Sequence, residues 1–348
     1  HYVAEVFASF LGPFVHFLTA FLVCAVSRFF GRSGRECLVL GLIYGFGVMS
    51  LASSRDGYEH TYEAFFLLAS TYAAWLGSGR GQSSKYFVLA GFLLGVGSLF
   101  RPNILVAIPA LFFIARRFRS VFLIALGLVP CLVLLLLYND ARFGNPFETG
   151  YPSAWRTANP DVVSSFDLSW SHLKVAVPGL LFSPGKGLFI FSPILLLLFL
   201  FGTSSVVRSA DRSMPILYVF LAYLCLYAPN FAWRGSVWSW GPRYLVPVIP
   251  FLVLAIPLEG LTARPRLVSY WLGCVSAAIQ FFSIATNYKR HLIDILNEKP
   301  NLFDTGQIIF RVEFSPILGS VKSFGNAVSN LFSDEVLFTF FSPEGWVN

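Results

Sequence analysis

The sequence predicts an all-α, polytopic membrane protein of about ten transmembrane helices, because apolar runs long enough to cross the ~30 Å hydrocarbon layer recur along it. Composition agrees: of 348 residues, 56% are hydrophobic and only 12% charged, whereas a soluble domain carries about 25% charged residues. Runs such as 121–138 are apolar on every face. A membrane β-barrel would instead show segments of about ten residues alternating in and out.

In chain order the expected spans are 5–28, 37–54, 59–77, 85–100, 102–116, 120–138, 187–202, 214–229, 244–260 and 267–286. Alternate loops carry Arg28, Arg32 and Arg35, then Arg80 and Lys85, then Arg116, Arg117 and Arg119, then Arg208 and Arg212, then Arg264 and Arg266. That bias is the positive-inside signal of a cytoplasmic face. It accounts for the net charge of +7 without a nucleic-acid partner. The opposite loops, 53–58, 101–103, 139–186 and 230–243, then face the periplasm or exterior of a bacterial inner (plasma) membrane. An even number of spans places His1 outside, so a helix with a cytoplasmic N-terminus is expected to precede it.

The chain thus divides into a first block of about six helices (1–138), an outer loop (139–186), a second block of about four (187–286) and an outer tail (287–348) with amphipathic pieces such as 336–341. Pro178, Pro184, Gly185, Gly187 and Pro193 break the stretch 177–192. Irregular backbone at membrane depth survives only against protein or a water-filled cavity, so a re-entrant segment is expected there. The five cysteines lie in or beside apolar runs with no paired spacing, and neither disulfide nor zinc follows.

Four polar constellations stand out. Asp56, Glu59, His60 and Glu63 would share one face if 56–63 were a continuous helix. Such a face can take a proton or, through His60 and Glu63, hold a divalent cation, although the spacing is no established metal signature. The bland alternative is acids at a helix N-terminus, favoured by its dipole. Arg101 sits on the outer side against the charge bias and needs an anion, either a phosphate or a carboxylate such as Glu59. Lys186 between Gly185 and Gly187 suits either phosphate approach or a simple turn. Finally, Trp233, Arg234, Trp238, Trp240, Arg243 and Tyr244 mix aromatic faces with guanidinium groups. The aromatic belt explains part of that; an amphiphilic substrate bearing a phosphate and a sugar or isoprene tail explains the arginines too.

Several strings in order (143–151 FGNPFETGY, 179–188 GLLFSPGKGL, 240–247 WGPRYLVP and 315–319 SPILG) resemble bacterial GT-C membrane glycosyltransferases of the family 39-like, dolichyl-phosphate-mannose mannosyltransferase-related group. The resemblance implies an enzyme that moves a sugar from a polyprenyl-phosphate donor to a lipid, glycan or protein acceptor on the outer membrane face, with no nucleotide and no certain cofactor. In that family the catalytic carboxylate lies in the first outer loop, ahead of anything matched here. Asp56 and Glu59 are therefore catalytic candidates from residue chemistry alone. Arg101, Lys186 and Arg243 are expected at the phosphate, with Trp238, Trp240 and Tyr244 at the sugar or lipid. A lipid-linked glycan transporter or flippase, or a non-catalytic GT-C-like scaffold subunit, would share the cavity and the arginines.

Overall fold

The structure, a computed structural model, describes residues 2–79, 83–150, 166–235, 239–259, 262–298 and 309–330. Among these it is all-α: helices and 3-10 turns, with a single isolated bridge between Phe166 and Asn230. The expected tail piece 336–341 lies outside the described residues.

Helix α1 (Tyr2–Phe29) is followed by α2 (Gly34–Phe46). The start of α2 is set by a reciprocal cap: the Ser33 hydroxyl accepts from the Glu36 backbone N–H, and the Glu36 carboxylate accepts from the Ser33 N–H at 2.9 Å. The expected span 37–54 is not one helix. It stops at Phe46, where Gly47 closes the last turn, and resumes as α3 (Ser50–Arg55). Helices α4 (His60–Ser78) and α5 (Ser84–Phe100) run as expected. Pro102 then forces a 3-10 turn, 102–107, before α6 (Ile108–Ala115) and the long α7 (Phe118–Phe143).

The 187–202 segment also departs from a single span. After α8 (Trp170–Phe182) come α9 (Leu188–Phe191), a 3-10 turn at Pro193–Leu196 and α10 (Leu197–Phe201). Pro193 lacks the N–H that a continuous helix needs. Helix α11 (Ala210–Tyr227) precedes a 3-10 turn at Arg243–Val248 and α12 (Ile249–Ala255). Helix α13 (Ala263–Ala285) is followed by α14 (Tyr288–Glu298) and α15 (Pro316–Asn330), which pack on each other.

Three helical segments, Phe10–Phe29, Phe118–Phe143 and Ala263–Ala285, are long and apolar enough to cross a membrane, and by length and composition they mark a membrane protein. Segments Ser84–Phe100, Pro102–Ala115 and Arg243–Ala255 are apolar but shorter. On α7 the residues Phe122, Leu126, Val129, Val133, Leu134 and Leu137 form an exposed stripe at helical spacing. Left in water, six such side chains would cost on the order of 10 kcal/mol, comparable to the whole stability of a domain. That face is built for hydrocarbon.

The other face of α7 meets α5 backbone to backbone. A Cβ on Gly91 would fall on the Ile124 carbonyl, and one on Gly127 on the Val88 carbonyl. Small residues are how helices approach closely where lipid removes any hydrophobic advantage of association.

Basic loop residues also act as staples. Arg32 is buried and donates to the Leu254 and Ile256 carbonyls at 3.0 and 2.9 Å while pairing with Glu259 at 3.4 Å, which fixes the α1–α2 turn to the end of α12. All five cysteines are free thiols.

Candidate functional site

The segment 56–63 does not form the continuous helical face expected from spacing. Helix α3 ends at Arg55, and Gly57 takes the left-handed conformation (φ +70°) that glycine adopts without strain. Helix α4 then starts afresh at His60. The turn sends the four titratable side chains to two clusters.

Asp56 goes to the first. Its side chain is buried, accepts a short hydrogen bond from the Tyr288 hydroxyl, and has Arg55 at 3.4 Å and Lys289 at 3.7 Å. Burial, then the neighbouring Asp56 charge, pushes the Tyr288 phenol well up, so it stays a donor. Arg55 meanwhile donates to the Ser283 carbonyl at 2.6 Å, covering the C-terminal end of α13. Asp56 thus joins α3 to α14 and is shielded.

Glu59, His60 and Glu63 go to the second cluster, centred on Arg101. The guanidinium holds Glu59 at 2.5 Å and Glu63 at 3.6 Å, and shares the Tyr227 hydroxyl at 3.2–3.3 Å. Asn103 also donates to that hydroxyl at 2.7 Å, and Tyr223 donates to Glu63 at 2.6 Å. Burial works against the charge on Arg101, but Tyr227, Glu63 and Glu59 outweigh it and hold the group more firmly protonated than usual. Of its anion partners, Glu63 is fully buried while Glu59 is 37% exposed. Arg101 is therefore filled by its own chain's carboxylates and tyrosine.

His60 has Nδ1 3.4 Å from Glu63 and Nε2 3.3 Å from the Arg101 guanidinium. A divalent cation at His60 would sit against that fixed positive charge, and among the described residues no group of three His, Cys, Asp or Glu side chains is placed to hold a metal ion. The residues present do not fit a metal, and none enters the chemistry below.

Lys186 and Trp240 are expected from sequence to face a ligand; the structure turns both inward. The buried Lys186 ammonium donates to the Ser239 carbonyl at 2.5 Å and its hydroxyl at 2.7 Å. It pins the 239–241 turn, where Gly241 has φ +65°. Trp240 is 1% exposed, edge-on to Phe191 and packed against Tyr288. Neither side chain is free to stack on a sugar or reach a phosphate in this conformation. Trp238 lies outside the described residues.

Burial, reinforced by Arg243, lowers the Lys186 pKa well below the ordinary 10.5, against a smaller opposing pull from Asp56. The unfolded chain then binds more protons than the folded one between that lowered value and 10.5, so stability rises with pH over this window. Thermal melts of the purified protein should show that rise on the approach to pH 10, and Lys186→Met should flatten it.

Arg243 and Tyr244 remain at the rim, both half-buried. The Arg243 guanidinium lies over the Tyr58 ring at 4.9 Å and the Tyr244 ring at 5.2 Å, and its buried Nε has no acceptor among the described residues. Tyr244 stacks in parallel on Tyr227 at 4.4 Å and meets His60 edge-on at 5.4 Å. The rim of the cluster is thus a partly open carboxylate, an arginine between two phenol rings, and those rings.

Sequence reasoning missed Tyr223, Tyr227 and Tyr288. The first two sit in a run read as simply lipid-spanning, yet their spacing of four puts them on one helix face, which is a legible sign that α11 has a polar side. Searches against protein-family models, curated proteins and solved structures find no match to this chain.

Proposed function

We propose that the chain is a multi-pass glycosyltransferase that moves a sugar from a polyprenyl-phosphate donor to a lipid, glycan or protein acceptor at the outer face of a bacterial inner membrane. The observation that carries this reading is the rim where Glu59, 37% exposed, and the tyrosine-clamped Arg243 with its unpartnered Nε come together from distant segments. The ordered GT-C-like strings support it. In this reading the shorter apolar segments count with the three long helices toward about ten passes.

The transfer needs few parts. The acceptor hydroxyl oxygen bonds to the anomeric carbon as the bond from that carbon to the phosphate oxygen breaks, and the electron pair leaves with the lipid phosphate. Arg243 stabilises that departing charge, since a guanidinium fixed by two rings is oriented beforehand. Glu59 takes the acceptor proton; Asp56 is closed off by Tyr288, Arg55 and Lys289. Arg101 positions Glu59 and touches no substrate. Tyr58 and Tyr244 offer faces to the sugar or first isoprene.

The test is transfer of radiolabelled sugar from a panel of polyprenyl-phosphate donors by the protein reconstituted in lipid. Arg243→Ala should lower kcat/KM by about 10²–10³-fold with an unchanged melting temperature, and Glu59→Gln should lower kcat by about 10²–10⁴-fold. Full activity in both variants, or no transfer by the unmodified protein from any donor, would sink the proposal.

A further inference from the structure

A cavity of about 380 Å³ opens at the far end of the same helices. Helix α4 begins in the polar cluster at His60 and ends at this cavity with Ser78, which sets the two apart by roughly 27 Å of helix. The polar lining is Arg116, Arg117, Ser78, Ser120 and Asp211, over an apolar floor that includes Phe87. Two guanidinium groups against one carboxylate leave the lining net positive.

Three further observations bear on what it would hold. Ser120 is more than nine-tenths buried and lines the cavity. It stands in the first turn of α7, a helix of 26 residues that no side chain caps, so its N-terminal dipole adds to the positive field. Next in sequence to the lining residues 114–117, Phe112, Phe113 and Phe118 are exposed, Phe118 almost completely. Exposed phenylalanines beside arginines suit the boundary between acyl chains and headgroups, where the ring meets hydrocarbon and the guanidinium meets phosphate.

We infer that this cavity binds the headgroup phosphate of a glycerophospholipid, with Arg116 and Arg117 as charge partners, the Ser120 hydroxyl as a hydrogen-bond donor, and the phenylalanines against the acyl chains. The site is separate from the transfer chemistry proposed above and stands or falls without it.

Two variants test it. Arg116 is the one non-glycine residue with positive φ (50°) among the described residues, so Arg116→Gly removes a guanidinium while relieving the backbone. Ser120→Leu fills the cavity instead. Native mass spectrometry of the detergent-purified full chain, titrated with phosphatidylglycerol, should show one retained lipid, held at least tenfold more weakly in each variant at unchanged melting temperature. Glycerol 3-phosphate serves as the soluble arm and should bind far more weakly than the lipid. Equal retention by the unmodified protein and both variants would overturn the site. Binding of glycerol 3-phosphate as tight as that of the lipid would overturn the lipid assignment in favour of a free phosphate ester.

Discussion

Arg101→Ala should destabilise the protein by about 3–5 kcal/mol, the usual result of removing one partner from a buried charge network. Among the described residues Arg101 is the arginine paired with both Glu59 and the fully buried Glu63, and its loss leaves Glu63 hydrogen-bonded to Tyr223 and beside His60. Arg101→Lys should fall short of rescue. An ammonium cannot reproduce the fork that meets Glu59 with one nitrogen and the Tyr227 hydroxyl with two others. Thermal melts in detergent check both. Adding Glu63→Gln to Arg101→Ala should recover part of the loss, because the stranded charge goes with it. A melting temperature unaffected by Arg101→Ala would show that the network contributes nothing to stability.

Gly91→Ala should be nearly as damaging, at about 3 kcal/mol, the upper end of overpacking costs. The added methyl would land on the Ile124 carbonyl, and backbone cannot swing aside as a side chain can. Gly127→Ala should behave alike from the opposite helix through the Val88 carbonyl. Gly45→Ala is the control. Its added Cβ would meet the Phe17 ring and the Ala20 Cβ at ordinary contact distances, 3.6 and 3.9 Å, so there the alanine should be neutral or stabilise by about 0.4–1 kcal/mol. Equal melting temperatures for the Gly91 and Gly45 variants would mean that α5 and α7 do not rely on that close approach.

Much of the helical plan was legible because apolar runs and the charges between them are one-dimensional signals. The starts of α5 and α7 and the extent of α13 fall within a few residues of expectation. The errors have local causes. Gly47 and Pro193 divide runs that hydropathy alone reads as continuous, and Pro102 opens the 102–116 span with a 3-10 turn, since an apolar average does not register a missing N–H or a tight turn. The site was half legible. Spacing grouped Glu59, His60 and Glu63 correctly and wrongly added Asp56, because a helical wheel carries straight through a left-handed Gly57. Lys186 and Trp240 read as ligand-facing because nothing in the sequence shows that the 239–241 turn folds back over them. Tyr223 and Tyr227 were hidden by the apolar residues around them.

The spread of the Arg101 network along the chain bears on how the protein is made. Tyr227 follows Arg101 by 126 residues, which at ribosomal rates of about 5–20 residues per second is a delay of roughly 6 to 25 s. During that interval the nascent chain has Arg101, Glu59 and Glu63 but neither tyrosine. Until α11 emerges, the guanidinium and the two carboxylates carry a net charge of −1 with neither tyrosine hydroxyl to share. A chain stalled before residue 223 would therefore hold all three charges but neither tyrosine of the network.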